Sequence, residues 1–294
     1  MLAHQLNSVI IKKISGFYYV QDDEGNIYES KLRGKLKQKV LTGDRVIITV
    51  LGDKKGIIEK VLPRENELQR PPIANVTMVL IVLAHDRPAP STMLLDRLLF
   101  LSYYHELLPI IIMNKCDIPE SRAAALIKEY YPTAGFNFIL SSAKTGCGIE
   151  EIRKKIEGQV AVMAGPSGSG KSTLLNTLGE GLQLRTQDVS SKIGRGKHTT
   201  RHVELFPLPG GGLIGDTPGF SVIDMPALER KEVSFYFPDF QSYTELCEFR
   251  DCIHYKERFC GVKQALEAGD LPIHRYNNYI TMLEEVISRE RSYK

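Results

Sequence analysis

The amino-acid sequence predicts an α/β protein in three parts: a small β-barrel over residues 1–65, a mostly parallel sheet covered by helices over 66–221, and a small helical module over 222–294. Three observations carry this. Short β-rich runs broken by turn chemistry fill the first part. Continuous apolar runs alternating with helical stretches fill the second. The third combines helical segments with a cluster of Cys and His. A chain of 294 residues with 43% hydrophobic residues is long enough for two or three domains and a real core. The formal charge is only +3, so any attraction to nucleic acid must come from local patches. No charged start leads into an apolar stretch, and the longest apolar run, "MVLIVLA", is far below the roughly 20 residues of a membrane helix. The expectation is a soluble, monomeric, cytoplasmic protein with no membrane association.

In the first part, "VIIKKI", "GFYYVQD", "NIYESKL", "DRVIITV" and "GIIEKVL" read as strands separated by "DDEG", "LTG" and "GDKKG". Five strands in this length predict a barrel of the OB type; an SH3-like barrel has the same appearance in sequence. Residues 1–64 hold 12 Lys and Arg against 7 acids, and "KLRGKLKQK" concentrates five of those charges. Phe17, Tyr18, Tyr19 and Tyr28 either fill the barrel or offer faces on which RNA bases stack. "RPPIANVT" reads as a linker, because Pro71 and Pro72 interrupt regular structure.

The second part alternates. "TMVLIVLA" is a strand, "STMLLDRLLFLSYYHE" a helix with Ser91 as N-cap, "LPIIIMNK" a strand and "PESRAAALIKEYY" a helix. "FNFILSSAK", "GIEEIRKKI" and "QVAVMAG" continue as strand, helix and strand, "GKSTLLNTLG" opens a helix, and "HVELFPL" and "GGLIGDTPG" are strands. Apolar runs of this kind belong to a sheet buried on both faces. In the third part "ALERKEVSFYF", "VKQALEAG" and "RYNNYITMLEEVISRERSYK" read as helices.

"GPSGSGKS" follows one strand and opens a helix, the context in which G-x-x-x-x-G-K-[ST] holds nucleotide phosphates. Gly168 and Gly170 let the backbone of Gly165, Pro166, Ser167, Gly168, Ser169 and Gly170 curl its N–H groups toward phosphate oxygens, and the helix N-terminus at Lys171, Ser172 and Thr173 adds its dipole. Lys171 is assigned to the β and γ phosphates and the Ser172 hydroxyl to Mg²⁺. "DTPG" places Asp216 at a strand end, where Mg²⁺ is held through water, and Gly219 near a γ-phosphate. Between them, "GRGKHTTRHVEL" offers Thr199 and Thr200 for the Mg²⁺ shell. Thr200 is preferred because it directly precedes Arg201.

"NKCD" selects the base. Guanine presents N1–H and N2–H₂ side by side, and one carboxylate, that of Asp117, matches both; adenine offers no such pair. Asn114 braces this loop and meets the N7 and O6 edge, while Lys115 lies along the base plane. "SSAK", at Ser141, Ser142, Ala143 and Lys144, aims the Ala143 N–H at O6. These strings stand in rotated order, NKCD, SSAK, GPSGSGKS, HTTR, DTPG. Cutting the usual GTP-binding chain between its third and fourth strands and joining the old ends, with "KKIEGQVAV" as the bridge, leaves every site in place.

"CEFRDCIHYKERFC" supplies Cys247, Cys252, His254 and Cys260 in the spacing C-x4-C-x-H-x5-C. Three thiolates and an imidazole suit a closed, structural Zn²⁺ site in a module too small to stand on its own core. Arg250, Lys256 and Arg258 lie between the ligands, a pattern suited to RNA. Five cysteines make an odd number for a disulfide framework. Cys116, inside the guanine string, and Cys147, in a Gly-flanked loop, are not read as metal ligands.

The rotated order together with the Cys/His cluster resembles one group over nearly the whole chain, the circularly permuted GTPases of the RsgA (YjeQ/YloQ) family, which depend on the small ribosomal subunit. The resemblance implies a circularly permuted P-loop GTPase domain flanked by an OB barrel and a zinc module. It implies GTP hydrolysis stimulated by the subunit, late in subunit maturation, with barrel and zinc module on ribosomal RNA. Phe220 stands where many GTPases carry a water-orienting Gln, so slow intrinsic turnover is expected, and His198 is the candidate to position the water. The alternative is a GTP-dependent RNA-binding regulator with little hydrolysis. Because "DTPG" runs into the last module, hydrolysis is expected to swing that module.

Overall fold

The computed structural model describes residues 4–34, 38–69, 72–179, 203–216 and 224–292. His198, Thr199, Thr200, Gly219 and Phe220 lie outside them.

Strands β1 (Gln5–Ile14), β2 (Phe17–Asp22), β3 (Ile27–Leu32), β4 (Arg45–Gly52) and β5 (Lys55–Val61) close a barrel in the order β1-β2-β3-β5-β4. Its one parallel pair is β3 with β5. That closed order is the OB arrangement and settles the choice between barrel types. Alternation along β1 turns Ile10 into the barrel and Ile11 out of it, next to an irregularity in register between Ile10 and Lys12. Ile11 is buried in the core of the second part, so the barrel is docked rather than tethered. Tyr18 and Tyr28 belong to the barrel core and Tyr19 packs against the neighbouring one. Of the four aromatic candidates for base stacking, only Phe17 is left outside these cores.

The segment read as a linker forms a small hairpin of β6 (Glu67–Gln69) and β7 (Pro72–Ala74). Pro72 is tolerated because it is the first residue of its strand. Leu68 and Ile73, paired across the hairpin, are buried in the same core as Ile11.

The central sheet has the order β10-β9-β8-β11-β13-β12, formed by β8 (Met78–Ala84), β9 (Leu108–Asn114), β10 (Phe138–Leu140), β11 (Val160–Ala164), β12 (Leu205–Pro207) and β13 (Leu213–Asp216). All neighbours run parallel except β12 with β13. Alternation along β8 divides the core. Val79, Ile81 and Leu83 face helices α1 (Thr92–Tyr104) and α2 (Arg122–Tyr130), and Met78, Leu80 and Val82 face α3 (Ile149–Ile156) and α4 (Lys171–Leu178). Ser91 and Ser121 cap α1 and α2 by accepting from the backbone N–H three residues on. Only residues 157–159 separate α3 from β11, which is the short join that the rotated order requires.

The last part is a 3-10 helix (Arg230–Tyr236), a second short turn (Pro238–Phe240), α5 (Gln241–Thr244), α6 (Gly261–Ala268) and α7 (Ile273–Ser292). The helix expected from "ALERKEVSFYF" takes the 3-10 form. Its Val, Phe and Tyr residues are poor α-formers, and Pro238 stops it. This module shares a core with α1: Phe100 and Leu101 pack with Val233, Phe237, Tyr279 and Leu283. The expected swing of the last module therefore cannot occur about the segment after "DTPG" alone, because α1 would have to travel with it or part from it.

A buried polar joint locks the same contact. Arg275, on α7, donates to Asp96 of α1 at 2.6 Å and to both oxygens of Asp239 at 2.9 and 2.7 Å. Tyr131 and Tyr130 donate to carboxylate oxygens that Arg275 also bonds, on Asp96 and Asp239 respectively, and Asn278 donates to the other oxygen of Asp96. Burial opposes the Arg275 cation, yet the two carboxylates outweigh it and hold the guanidinium well above its ordinary range.

Candidate functional site

The parallel strands bring the carboxyl ends of β8, β9, β10, β11 and β13 to one edge, the place where open α/β sheets bind nucleotides. NKCD follows β9, SSAK follows β10, GPSGSGKS follows β11, and Asp216 ends β13, paired with Met163 just before the phosphate loop. Four of the five strings, scattered over about a hundred residues, thus have their described members on one rim, and HTTR lies outside the described residues.

The guanine and phosphate strings are knitted together. Asn114 is 1% exposed, and its Nδ2 donates to the Ser169 carbonyl at 3.0 Å. Its Oδ1 accepts from Ser141 and from the Ala143 N–H, each at 3.3 Å. Asn114 thus ties the loops after β9, β10 and β11 to one another. A Cβ at Gly170 would strike the Asn114 amide, which explains glycine there beyond its positive φ of 95°. Lys115 extends to the carbonyls of Arg87 and Gly168, at 2.5 and 2.7 Å. The Lys171 ammonium bonds the carbonyls of Gly165 and Pro166, both at 2.8 Å, within the loop that would hold phosphates.

Asp117 is the acid of the site. The Ser142 hydroxyl donates to its Oδ1 at 2.6 Å, and Lys144 approaches Oδ2 at 3.9 Å. The Ser142 bond is the main cause that holds this carboxyl below its ordinary range, with Lys144 and Lys115 adding to it. A depressed pKa keeps the acceptor form available as the pH falls, and binding that needs it is lost only as pH drops through the lowered value. Ser142→Ala should move that loss to higher pH, measurable as the pH dependence of GDP affinity. An unshifted profile would remove Ser142 from this role.

The second site is a candidate metal centre. The ligand atoms of Cys247, Cys252, His254 and Cys260 all lie within 4.8 Å of one another. His254 Nδ1 is 3.6 Å from Cys247 Sγ and 3.4 Å from Cys260 Sγ. With metal–ligand bonds of about 2.0 to 2.3 Å, a tetrahedron has edges of about 3.5 to 3.8 Å, so the donors are placed for one ion. The Gly261 N–H donates to Cys247 Sγ at 3.3 Å, and a Cβ at Gly261 would collide with the Tyr243 carbonyl. Burial raises the Cys252 and Cys260 thiols and lowers His254, a set of donors that a cation would draw into ligand form. Chelation of the full chain, or Cys252→Ser, should loosen the core around Phe240 and Tyr279 and cost several kcal/mol of stability, read by thermal melting and near-UV circular dichroism. Identical melts with and without chelator would make the cluster a set of free thiols.

The described members of the phosphate and guanine sets lie together at one rim, and Cys247, Cys252, His254 and Cys260 lie together in the last module. Sequence reasoning missed the Asp96–Asp239–Arg275 joint, for which no local pattern exists. No helix among the described residues is long and apolar enough to cross a membrane.

A sheet in this rotated order, with a phosphate-loop string after its central strand, defines a circularly permuted GTPase. The likeness to known proteins is specific. Residues 61–226 match the RsgA GTPase family and residues 8–58 the RsgA N-terminal domain. A small ribosomal subunit biogenesis GTPase RsgA from Carboxydothermus hydrogenoformans is 47% identical over 291 residues, covering 98% of this chain and 100% of the relative. The crystal structure of YjeQ from Thermotoga maritima superposes with a TM-score of 0.82 at 36% identity, covering 97% of this chain and 99% of that one. YloQ, described as a circularly permuted GTPase, gives 0.80 at 34%, covering 97% and 96%. This chain belongs to the RsgA GTPase family and is a GTP hydrolase.

Proposed function

We propose that this protein binds the small ribosomal subunit, acts late in its maturation, and hydrolyses GTP to GDP and phosphate with turnover stimulated by the subunit. The observation that carries this is the full-length likeness to a protein named for small-subunit biogenesis, joined to a rim that holds a guanine-selecting carboxylate and a phosphate loop together. Asp117 takes guanine N1–H and N2–H₂, steadied by Ser142. Ala143 turns its weakly engaged N–H to O6. Gly165 to Thr173 cradle the phosphates, with Lys171 exchanging its two loop carbonyls for phosphate oxygens. Magnesium arrives with GTP and would be held by Ser172, Thr200 and, through water, Asp216; Gly219 meets the γ-phosphate. His198 positions the attacking water when the subunit orders its segment.

Zinc fills the Cys247, Cys252, His254 and Cys260 site as a structural ion. Working parts divided near residues 65 and 221 place the basic barrel and the metal module on ribosomal RNA. Lys31 over the Phe17 ring, at 4.8 Å, is one cation–aromatic surface on the barrel. The protein acts as a cytoplasmic monomer. Co-sedimentation with purified small subunits in GDP and in a GTP analogue, beside turnover with and without subunits, tests the proposal. Retention in the analogue state with faster turnover is expected. Equal sedimentation with no stimulation would overturn it.

A further inference from the structure

Two thiols at the guanine rim are used by neither site. Cys116 lies between Lys115 and Asp117, and Cys147 lies in the loop that follows SSAK. Backbone ladders bring these loops together: the Cys116 N–H donates to the Ser141 carbonyl at 3.0 Å, and the Ser142 N–H donates to the Cys147 carbonyl at 3.0 Å. Cys116 is half-buried and Cys147 is exposed. The paired backbones of the two loops set Cys116 and Cys147 side by side at the rim; burial raises the Cys116 thiol, and its neighbour Cys147 raises it further. The remaining three cysteines belong to the candidate metal centre.

We propose that Cys116 and Cys147 form a reversible disulfide that lowers the affinity of the rim for guanine nucleotide under oxidising conditions. This rests on the reading of Asp117 as the guanine contact. The oxidant is a peroxide. The accessible Cys147 thiolate takes one peroxide oxygen, the O–O bond breaks, and the product is a sulfenic acid and one water after protonation. The Cys116 thiol then attacks that sulfur. The S–S bond forms, the S–O bond breaks, and a second water leaves with the Cys116 proton. Two electrons pass from the sulfurs to the peroxide, and an external dithiol reverses the reaction.

The consequence follows from position. A disulfide holds its sulfurs at about 2.05 Å, well inside the separation of two thiols in contact, so the loops must close on one another. Cys116 is flanked by Lys115, held at a φ of 62°, and by Asp117. Cys147 is bonded through its carbonyl to Ser142, the residue that orients Asp117. Closing the loops therefore shifts the carboxylate against the base, and misplacement of about 1 Å at such a contact is worth up to about a hundredfold.

The test uses the metal-loaded full chain, reduced or treated with one to a few equivalents of hydrogen peroxide, with metal content measured alongside. Peptide mass spectrometry should find Cys116 linked to Cys147, and titration with a fluorescent GDP should show affinity reduced about tenfold or more and restored by dithiothreitol. Cys147→Ser, still reduced, should bind GDP as the parent does and keep that affinity after peroxide. A missing crosslink, an unchanged affinity in crosslinked protein, or an equal loss in Cys147→Ser would each overturn the proposal. Failure of the reduced protein to bind GDP would instead strike the reading of Asp117, since the crosslink is mapped independently.

Discussion

Asp117→Asn should weaken GDP and GTP binding by about 10³-fold or more and turn the preference toward xanthine nucleotides. Guanine offers two neighbouring donors, and the Asp117 carboxylate offers two acceptors. An amide keeps one acceptor and replaces the other with a donor that opposes the guanine amino group. Xanthine carries an oxygen at that position, so the same amide becomes complementary. Sites built on such pairs reject mismatched partners by about 10⁴ to 10⁵. The Ser142 hydroxyl, 2.6 Å from Asp117 Oδ1 in the parent, can still donate to the amide oxygen, so the loop should keep its shape. Competition titrations with GDP and xanthosine diphosphate read the change. Unaltered GDP affinity would place the guanine contact elsewhere.

Arg275→Met should destabilise the protein by about 3 to 5 kcal/mol. The substitution removes the cation that bonds both Asp96 and Asp239 and leaves two carboxylates in a closed interior. Asp96 is fully buried, and burial pushes its carboxyl up against the Arg275 charge and the bonds from Tyr131 and Asn278. Asp96→Asn, which keeps most of the hydrogen bonds but drops a charge, should cost less than Arg275→Met. Thermal melting of both variants with GDP present separates this from any effect on the nucleotide rim. A change below about 0.5 kcal/mol for Arg275→Met would mean that the interior stays wet or rearranges around the lost cation.

The two sites differ from this joint in how far they could be read from the chain alone. Asp117, Lys171 and the Cys/His cluster sit in short contiguous strings, because a strand end or a tight loop can present several functional groups within a few residues. Gly170 and Ser169 could be assigned to phosphate chemistry from such a string, but their contact with Asn114 could not. Arg275 meets Asp96 across 179 positions of sequence, and Lys12 meets Glu204 across 192. Pairings of that reach are made by topology, and nothing in the flanking residues announces them. The β6–β7 hairpin was hidden for a different reason. The two prolines dominate its local signal, while the buried pair Leu68 and Ile73 that justifies the hairpin is too short to show a period.

Helix α1 presents Leu95, Leu98 and Leu99 to the sheet and Phe100 and Leu101 to the last module, so it is greasy on two sides. During synthesis this helix leaves the exit tunnel long before Phe237 and Tyr279 exist to cover it. At about 5 to 20 residues per second, that bare stripe waits on the order of ten seconds or more for its partners. The nascent chain is therefore most vulnerable to aggregation in its middle age, when the nucleotide-binding half is nearly complete. A fragment ending near residue 221 would stay in that condition permanently.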